Sequence, residues 1–140
     1  MTHLLRFASR LAYSPDGPGI RVPVRLTTGY HSIPLEAYID TGAPVCVFPR
    51  WVAEELELEV EKGDQLVLRT GGGLMEVYGH TLTLVIGVPA MNDLAFDIAA
   101  CFARNPEFQR SLLGRQGFLD RVRMALIHYD GLLFMDAHDA

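Results

Sequence analysis

The stretch Tyr38-Ile39-Asp40-Thr41-Gly42-Ala43 (YIDTGA) places one carboxylate at the end of an apolar run and follows it with a tight turn. In the run before it, apolar side chains recur at every second position, as a strand with one buried face requires. Asp40 therefore falls where a predicted strand, Ile33–Ile39, ends and a loop begins. A carboxylate in that place can accept N–H bonds from its own turn, so the motif alone leaves a structural and a catalytic role open.

The chain has 140 residues, of which 49% are hydrophobic and 21% charged, so we expect one globular domain over 1–140. Its core should span about 20–136, after an N-terminal strand and loop over 1–19. The formal charge of -5 and the scattered Lys and Arg argue against a nucleic-acid partner. We find neither a signal-peptide pattern nor an apolar stretch able to cross a bilayer, so we expect a cytoplasmic protein without a membrane partner.

Short strand-like runs dominate the chain and predict a small all-β barrel. We expect an extended segment over 4–13 and strands over 22–26, 33–39, 65–69, 75–86, 94–100, 125–129 and 132–135. Helical spacing predicts two short helices, Arg50–Glu57 and Gln116–Met124. A hairpin turn is expected at Thr27–Tyr30, and Asp130-Gly131 favours a two-residue type I′ turn between the last two strands.

Other chemistries find little support. The five histidines show no paired spacing, so we expect no metal site and no cofactor. Cys46 and Cys101 are expected to be buried hydrophobes, and no residue sits in a nucleophile motif. The glycines in Thr70-Gly71-Gly72-Gly73 lack the Lys and helix of a phosphate loop. They fit a mobile hairpin tip or an ordinary surface turn about equally well.

Read together, four segments resemble retropepsin-like aspartic proteases, the single-domain relatives of retroviral proteases that include a bacterial branch. Ile39–Ala43 is similar to their catalytic signature, and Pro49–Leu58 to the short helix that follows it in cellular members. Arg69–Gly73 resembles their flap. Ser111–Leu119, written SLLGRQGFL, resembles their second hallmark, in which two apolar residues and Gly-Arg open a C-terminal helix. Order and spacing agree from about Val22 to Phe134.

The resemblance implies a closed, orthogonal β-barrel of six or seven strands with one or two short helices, equivalent to half of a pepsin. It also implies an aspartic endopeptidase acting on peptides or proteins. Peptide hydrolysis by water needs one group to take a proton and another to give one, and two aspartates that share a proton supply both. This chain carries one Asp-Thr-Gly, so we expect a symmetric homodimer with one catalytic Asp40 from each subunit.

The resemblance also assigns roles to the neighbours of Asp40. Thr41 would hydrogen-bond across the two-fold axis, and Gly42 would let the backbone approach the substrate. The residues expected to support the catalytic loop are Thr41, Gly42, Ala43, Leu112, Leu113 and Gly114. Those expected to form the substrate-binding flap are Thr70, Gly71, Gly72 and Gly73.

Pro44 departs from the retroviral pattern, which places an acid there to pair with the arginine matching Arg115, so Arg115 must find another partner. The apolar hairpin Ala125–Met135 is our candidate dimer interface, with burial inside the monomer's own barrel as the alternative.

Two other functions stay open. One is a retropepsin-like dimerisation or peptide-binding module with weak or no cleavage. The other is an unrelated small β-barrel in which Asp40 caps a turn.

Overall fold

The computed structural model describes residues 1–87 and 94–140 of the chain. These residues form ten strands: β1 (Arg10–Ala12), β2 (Arg21–Thr28), β3 (His31–Ile39), β4 (Val47–Phe48), β5 (Asp64–Thr70), β6 (Gly73–Ile86), β7 (Leu94–Ala103), β8 (Leu112–Leu113), β9 (Val122–Ile127) and β10 (Leu132–Ala137). One α-helix, α1 (Arg50–Glu55), lies between β4 and β5, and short 3-10 turns occupy Val60–Lys62 and His128–Asp130. None of the described helices is long and apolar enough to span a membrane.

Six strands close into a barrel. Their order is β2-β3-β8-β4-β7-β6, and β6 pairs back onto β2, so that Leu26 lies opposite Leu84 in the closing antiparallel ladder. β5 extends from the free part of β6 as a hairpin outside this ring. The pairing of β6 with β2 therefore confirms the predicted closed all-β barrel. β2, β3 and β5–β7 also occupy the predicted segments to within a few residues at each end.

Alternation along the strands builds the core. In β2, the apolar residues Val22, Val24 and Leu26 are buried while the residues between them are exposed. Phe48, Phe102 and Phe118 are fully buried and fill the barrel beside these strands. β-branched and aromatic side chains pack well on such a pleated, half-buried surface. The barrel therefore presents Asp40, one residue beyond β3, at the end of a strand that the core holds in place.

A second sheet contains three strands in the order β1-β10-β9, with both ladders antiparallel. Leu133 and Met135 of the C-terminal hairpin are buried in the main core, whereas Leu126 and Ile127 are 43% and 46% exposed. Part of this hairpin therefore packs within the monomer, as the alternative interpretation predicts, while the end of β9 is exposed and the dimer interface stays a prediction. Among the described strands, β9 pairs only with β10.

The predicted helix Gln116–Met124 is wrong. The segment forms a series of turns and enters β9 at Val122. Gly117 has φ of 101°, which a right-handed helix does not allow, and its N–H donates to Oδ1 of Asp120 at 2.9 Å. Phe118 and Val122 are buried as the helical spacing predicted, but turns and a strand bring them into the core.

Other local predictions are partly corrected. The two-residue turn predicted at Asp130-Gly131 is instead a four-residue connection, because Leu132 pairs with Ile127 and the 3-10 turn fills the gap. Gly131 does take the left-handed conformation, with φ of 62°. The N-terminal strand covers only Arg10–Ala12, since the N–H groups of residues 8 and 9 donate to the Asp136 carboxylate rather than to a strand ladder. Helix α1 is confirmed, and it ends two residues earlier than predicted.

Closure of the barrel by β2 and β6 yields a stability prediction. Leu26→Ala should lower the free energy of unfolding by about 2–5 kcal/mol, because it leaves a cavity in a fully buried site. Leu74→Ala is the matched control, since Leu74 is 71% exposed and its change should stay within about 0.5 kcal/mol. Urea denaturation measures both values. Equal losses in the two variants would contradict the closing role of Leu26.

Candidate functional site

The position of Asp40 is set by a parallel pairing between β3 and β8. Tyr38 lies opposite Leu112 and Ile39 opposite Leu113, and the Asp40 N–H donates to the Leu113 carbonyl at 2.9 Å. Asp40 itself thus makes the last hydrogen bond that continues the pairing of β3 with β8. Asp40 is half-buried, so its carboxylate is reachable from solvent while its main chain is fixed.

The turn after Asp40 is closed by its own side chain and main chain. Oδ1 of Asp40 accepts the Gly42 N–H at 3.0 Å, and the Asp40 carbonyl accepts the Ala43 N–H at 3.2 Å. Oδ2 accepts no hydrogen bond from any described residue. Thr41 and Gly42 are exposed and Ala43 is buried, so the loop turns its first two residues outward and anchors itself with the third.

The segment after β8 packs directly against this loop. The Arg115 and Gln116 N–H groups donate to the Ala43 and Pro44 carbonyls at 2.9 and 3.0 Å. A Cβ atom at Gly114 would overlap the Val45 carbonyl oxygen and lie 2.7 Å from that of Ala43. Only glycine fits there without displacing backbone. The Asp40 loop and the Gly114 segment are therefore packed directly against each other, and the neighbouring Leu113 is fully buried.

Arg115 lies beside the same loop. Its Nη1 donates to the Thr41 carbonyl at 3.3 Å, and no carboxylate among the described residues lies within 4.0 Å of its guanidinium. Position 44 is Pro rather than an acid, and the partner that Arg115 has in the structure is a main-chain oxygen. The outcome is a guanidinium at the edge of the site whose charge is not neutralised within the described part of the chain.

The glycine-rich segment forms the tip of the β5–β6 hairpin. Thr70 pairs with Gly73 across a two-residue turn, and Gly73 takes φ of 112°. The Thr70 hydroxyl donates to the Gly73 carbonyl at 2.7 Å and accepts the Gly72 N–H at 3.2 Å. All four residues are exposed, and no hydrogen bond of the described residues joins them to the Asp40 loop.

A cleft of about 550 Å³ lies between the start of β6, just after the hairpin tip, and the loop after β7. It is lined by Leu74, Met75, Glu76, Arg104, Asn105, Pro106, Glu107 and Phe108. Met75 and Phe108 pack on a small buried cluster that includes Val45 and Val47, just beyond the Asp40 loop. A Glu76–Arg104 ion pair of 2.7 Å crosses the polar side of the cleft. Extended peptides add to open strand edges beside such apolar pockets.

One feature of the site was missed from sequence. Tyr38 lies two positions before Asp40, and it points away from the core because its neighbours Ala37 and Ile39 pack into it. The Arg110 guanidinium carbon lies 4.9 Å from the centre of the Tyr38 ring, and that of Arg21 lies 5.9 Å from it. The strand alternation could have placed Tyr38, but only the β3–β8 pairing brings Arg110 to it.

The two cysteines are not suited to nucleophilic chemistry, although Cys46 lies next to the Gly114 segment, with its Sγ 3.7 Å from the Gln116 carbonyl. Cys46 and Cys101 are buried, free thiols, and burial raises the pKa of each to about 11. Such thiols stay protonated at neutral pH and are weak nucleophiles. Within residues 1–87 and 94–140, no three His, Cys, Asp or Glu side chains lie close enough to hold a metal ion.

The geometry therefore brings together Asp40, its turn, the Leu112–Gly114 segment and Arg115. No hydrogen bond among the described residues joins the exposed hairpin tip to them. A single exposed carboxylate can take up a proton or release one, but it cannot do both at once on opposite sides of a reacting carbonyl.

Comparison with known proteins identifies relatives of this arrangement. The family model for aspartyl protease matches residues 22–116, which is more than half of the chain. Among 17 chains of solved structures that match, one is a crystal structure of a retropepsin-like aspartic protease from Rickettsia conorii. That match has a TM-score of 0.64 and 20% sequence identity, and covers 91% of this chain and 96% of that one. The comparison with curated proteins finds no significant match.

Packing at Gly114 gives a prediction for the site. Gly114→Ala should destabilise the protein by about 1–3 kcal/mol or more, because the added methyl group meets two backbone carbonyls. Gly71→Ala is the control. It has no neighbour within 4 Å and no left-handed φ, so its effect should stay within about 0.5 kcal/mol. Thermal unfolding of both variants measures the difference, and an unaffected Gly114→Ala protein would refute the packing argument.

Proposed function

This chain belongs to the aspartyl protease family, and we propose that it is an aspartic endopeptidase in which two Asp40 carboxylates of a symmetric homodimer activate a water molecule. One carboxylate, ionised, takes a proton from the water as it attacks the peptide carbonyl. The other, protonated, gives a proton to the carbonyl oxygen. The pair then passes a proton to the leaving amine, so no cofactor and no covalent intermediate is needed.

The observation that carries this proposal is the state of the Asp40 side chain. Oδ1 accepts the Gly42 N–H at 3.0 Å, which fixes the carboxylate plane, whereas Oδ2 accepts nothing from the described residues. A carboxylate that caps its turn through Oδ1 alone leaves Oδ2 free to bind a water molecule or a substrate atom. The fixed main chain and the open oxygen are what a preorganised acid–base group requires.

The need for a dimer follows from charge. Two carboxylates within a few ångströms of each other repel when both are ionised, so they share one proton and supply an acid and a base at the same pH. A single Asp40 lacks that partner. An isologous two-fold contact supplies an identical loop, and the exposed Thr41 is the residue of that loop proposed to bond across the axis.

The C-terminal hairpin is the proposed dimer surface. Leu126 and Ile127 expose large apolar side chains there, and β9 has no second neighbour among the described strands. An open strand edge that carries apolar side chains favours pairing with another chain.

The β5–β6 tip, Thr70–Gly73, is proposed as a flap that closes over an extended peptide. Its glycines leave main-chain N–H and C=O groups accessible for pairing with a substrate strand. The cleft beside the start of β6 offers a place for a substrate side chain. Closure of the tip would also exclude bulk water from the site and leave the one water molecule held between the two carboxylates.

Substitution of Asp40 tests the proposal. Asp40→Asn should abolish cleavage of an unstructured peptide library, read by mass spectrometry, while the free energy of unfolding and the dimer mass stay within error. Asp97→Asn is the matched control, since Asp97 is exposed and its carboxylate accepts a bond from Thr83 that an amide oxygen can also accept. Its activity should match the wild type.

Two results would count against the proposal. Equal cleavage by Asp40→Asn would remove Asp40 from the chemistry. A wild-type protein that binds peptides without cleaving any would favour the second candidate function, a peptide-binding module. Pro44 and the unneutralised Arg115 are the observations that keep this second function in view, because the retroviral arrangement pairs an acid with that arginine.

A further inference from the structure

Two arginines from distant parts of the chain meet on one aromatic ring beside Asp40. The guanidinium carbon of Arg110 lies 4.9 Å from the centre of the Tyr38 ring, and that of Arg21 lies 5.9 Å from it. Both distances are within the range of cation–π attraction, which orients a guanidinium without neutralising it. We call Arg21 and Arg110 the arginine pair.

Strand alternation places this pair outside the core, close to Asp40 in the chain. Ala37 and Ile39 of β3 face the core, so Tyr38 faces the opposite side, and Asp40 follows two residues after Tyr38, directly after the end of β3. Two residues along an extended strand cover roughly 6–7 Å. A substrate residue one or two positions from a scissile bond at Asp40 is therefore within reach of the arginine pair.

The arginine pair has no carboxylate partner in the described part of the chain. Arg50, Arg104 and Arg121 each have an acid within 4.0 Å, whereas Arg21 and Arg110 have none. Glu36 is the next acid along the outward row of β3, and it too lies beyond 4.0 Å of both. In a chain of net charge -5, acids are plentiful, so exposed guanidiniums without one are available to an external anion.

We propose that the arginine pair binds an Asp or Glu side chain of the substrate, one or two residues from the scissile bond. This inference rests on the proposed function, since the scissile bond is placed by Asp40. The planar guanidinium offers parallel N–H donors to a carboxylate. The two-fold axis places a second copy of the pair on the other side of the scissile bond. A Lys at the same substrate position meets like charge and is rejected.

Peptide binding to the Asp40→Asn variant tests the proposal without interference from cleavage. Fluorescence anisotropy compares a peptide series that carries Glu, Gln or Lys at each position in turn. At one position or more, the Glu peptide should bind about tenfold tighter than its Gln counterpart, because a bond to a charged acceptor is stronger than one to a neutral acceptor. The preference should weaken at high salt.

Two further variants assign that preference to a residue. Arg110→Gln in the same background should reduce the ratio of Glu-peptide to Gln-peptide affinity to about two or less, because it removes the guanidinium that lies over the Tyr38 ring. Arg25→Gln is the matched control. Arg25 is exposed on the same face of β2, roughly 13 Å from Arg21, and bonds the Ser32 hydroxyl. It should leave the ratio unchanged.

The outcomes separate this inference from the proposed function. Equal binding of Glu and Gln peptides, or a preference that persists in Arg110→Gln, overturns the role of the arginine pair even when the wild type cleaves peptides. The absence of cleavage by the wild type, with the Glu preference intact and lost in Arg110→Gln, overturns the endopeptidase proposal and supports recognition of acidic peptides by this surface.

Discussion

The contact between the Asp40 loop and Gly114 is the constraint on which the rest of the site depends. Three main-chain hydrogen bonds join the loop to the Leu113–Gln116 segment, and the carbonyls of Ala43 and Val45 occupy the space that a side chain at position 114 would need. Backbone packed this closely has little freedom to shift. The candidate carboxylate is therefore held by main-chain geometry, and its own side chain stays open to solvent.

The closed barrel positions the residues that make this contact. β8 has two residues, too few to be stable alone, and it is held between β3 and β4 in the closed ring. The β5–β6 hairpin differs, because its tip lies outside the ring and is exposed. Regions with few buried contacts open at low free energy. The fold thus combines closely packed backbone around Asp40 with an exposed hairpin tip.

Sequence reasoning found the barrel because alternation in β2, β3 and β7 is strong and local. It placed Asp40 at the end of a strand, and the structure has it one residue beyond β3, while the roles assigned to Asp40 and Gly114 stay predictions. It failed at Gln116–Met124, where the spacing of Phe118 and Val122 fits a helix but the left-handed Gly117 and the Asp120 side chain form turns instead. It also missed Arg110, since a residue far away in the chain reaches Tyr38 only through a parallel pairing that no local pattern encodes.

The central claim is that two Asp40 side chains act together, and mixing of subunits tests it most directly. Wild-type and Asp40→Asn chains are unfolded together, refolded at constant total concentration and assayed on one peptide. When each active site needs an Asp40 from both subunits, the rate falls with the square of the wild-type fraction. A rate that falls in direct proportion to that fraction would contradict the account, because each chain would then act alone.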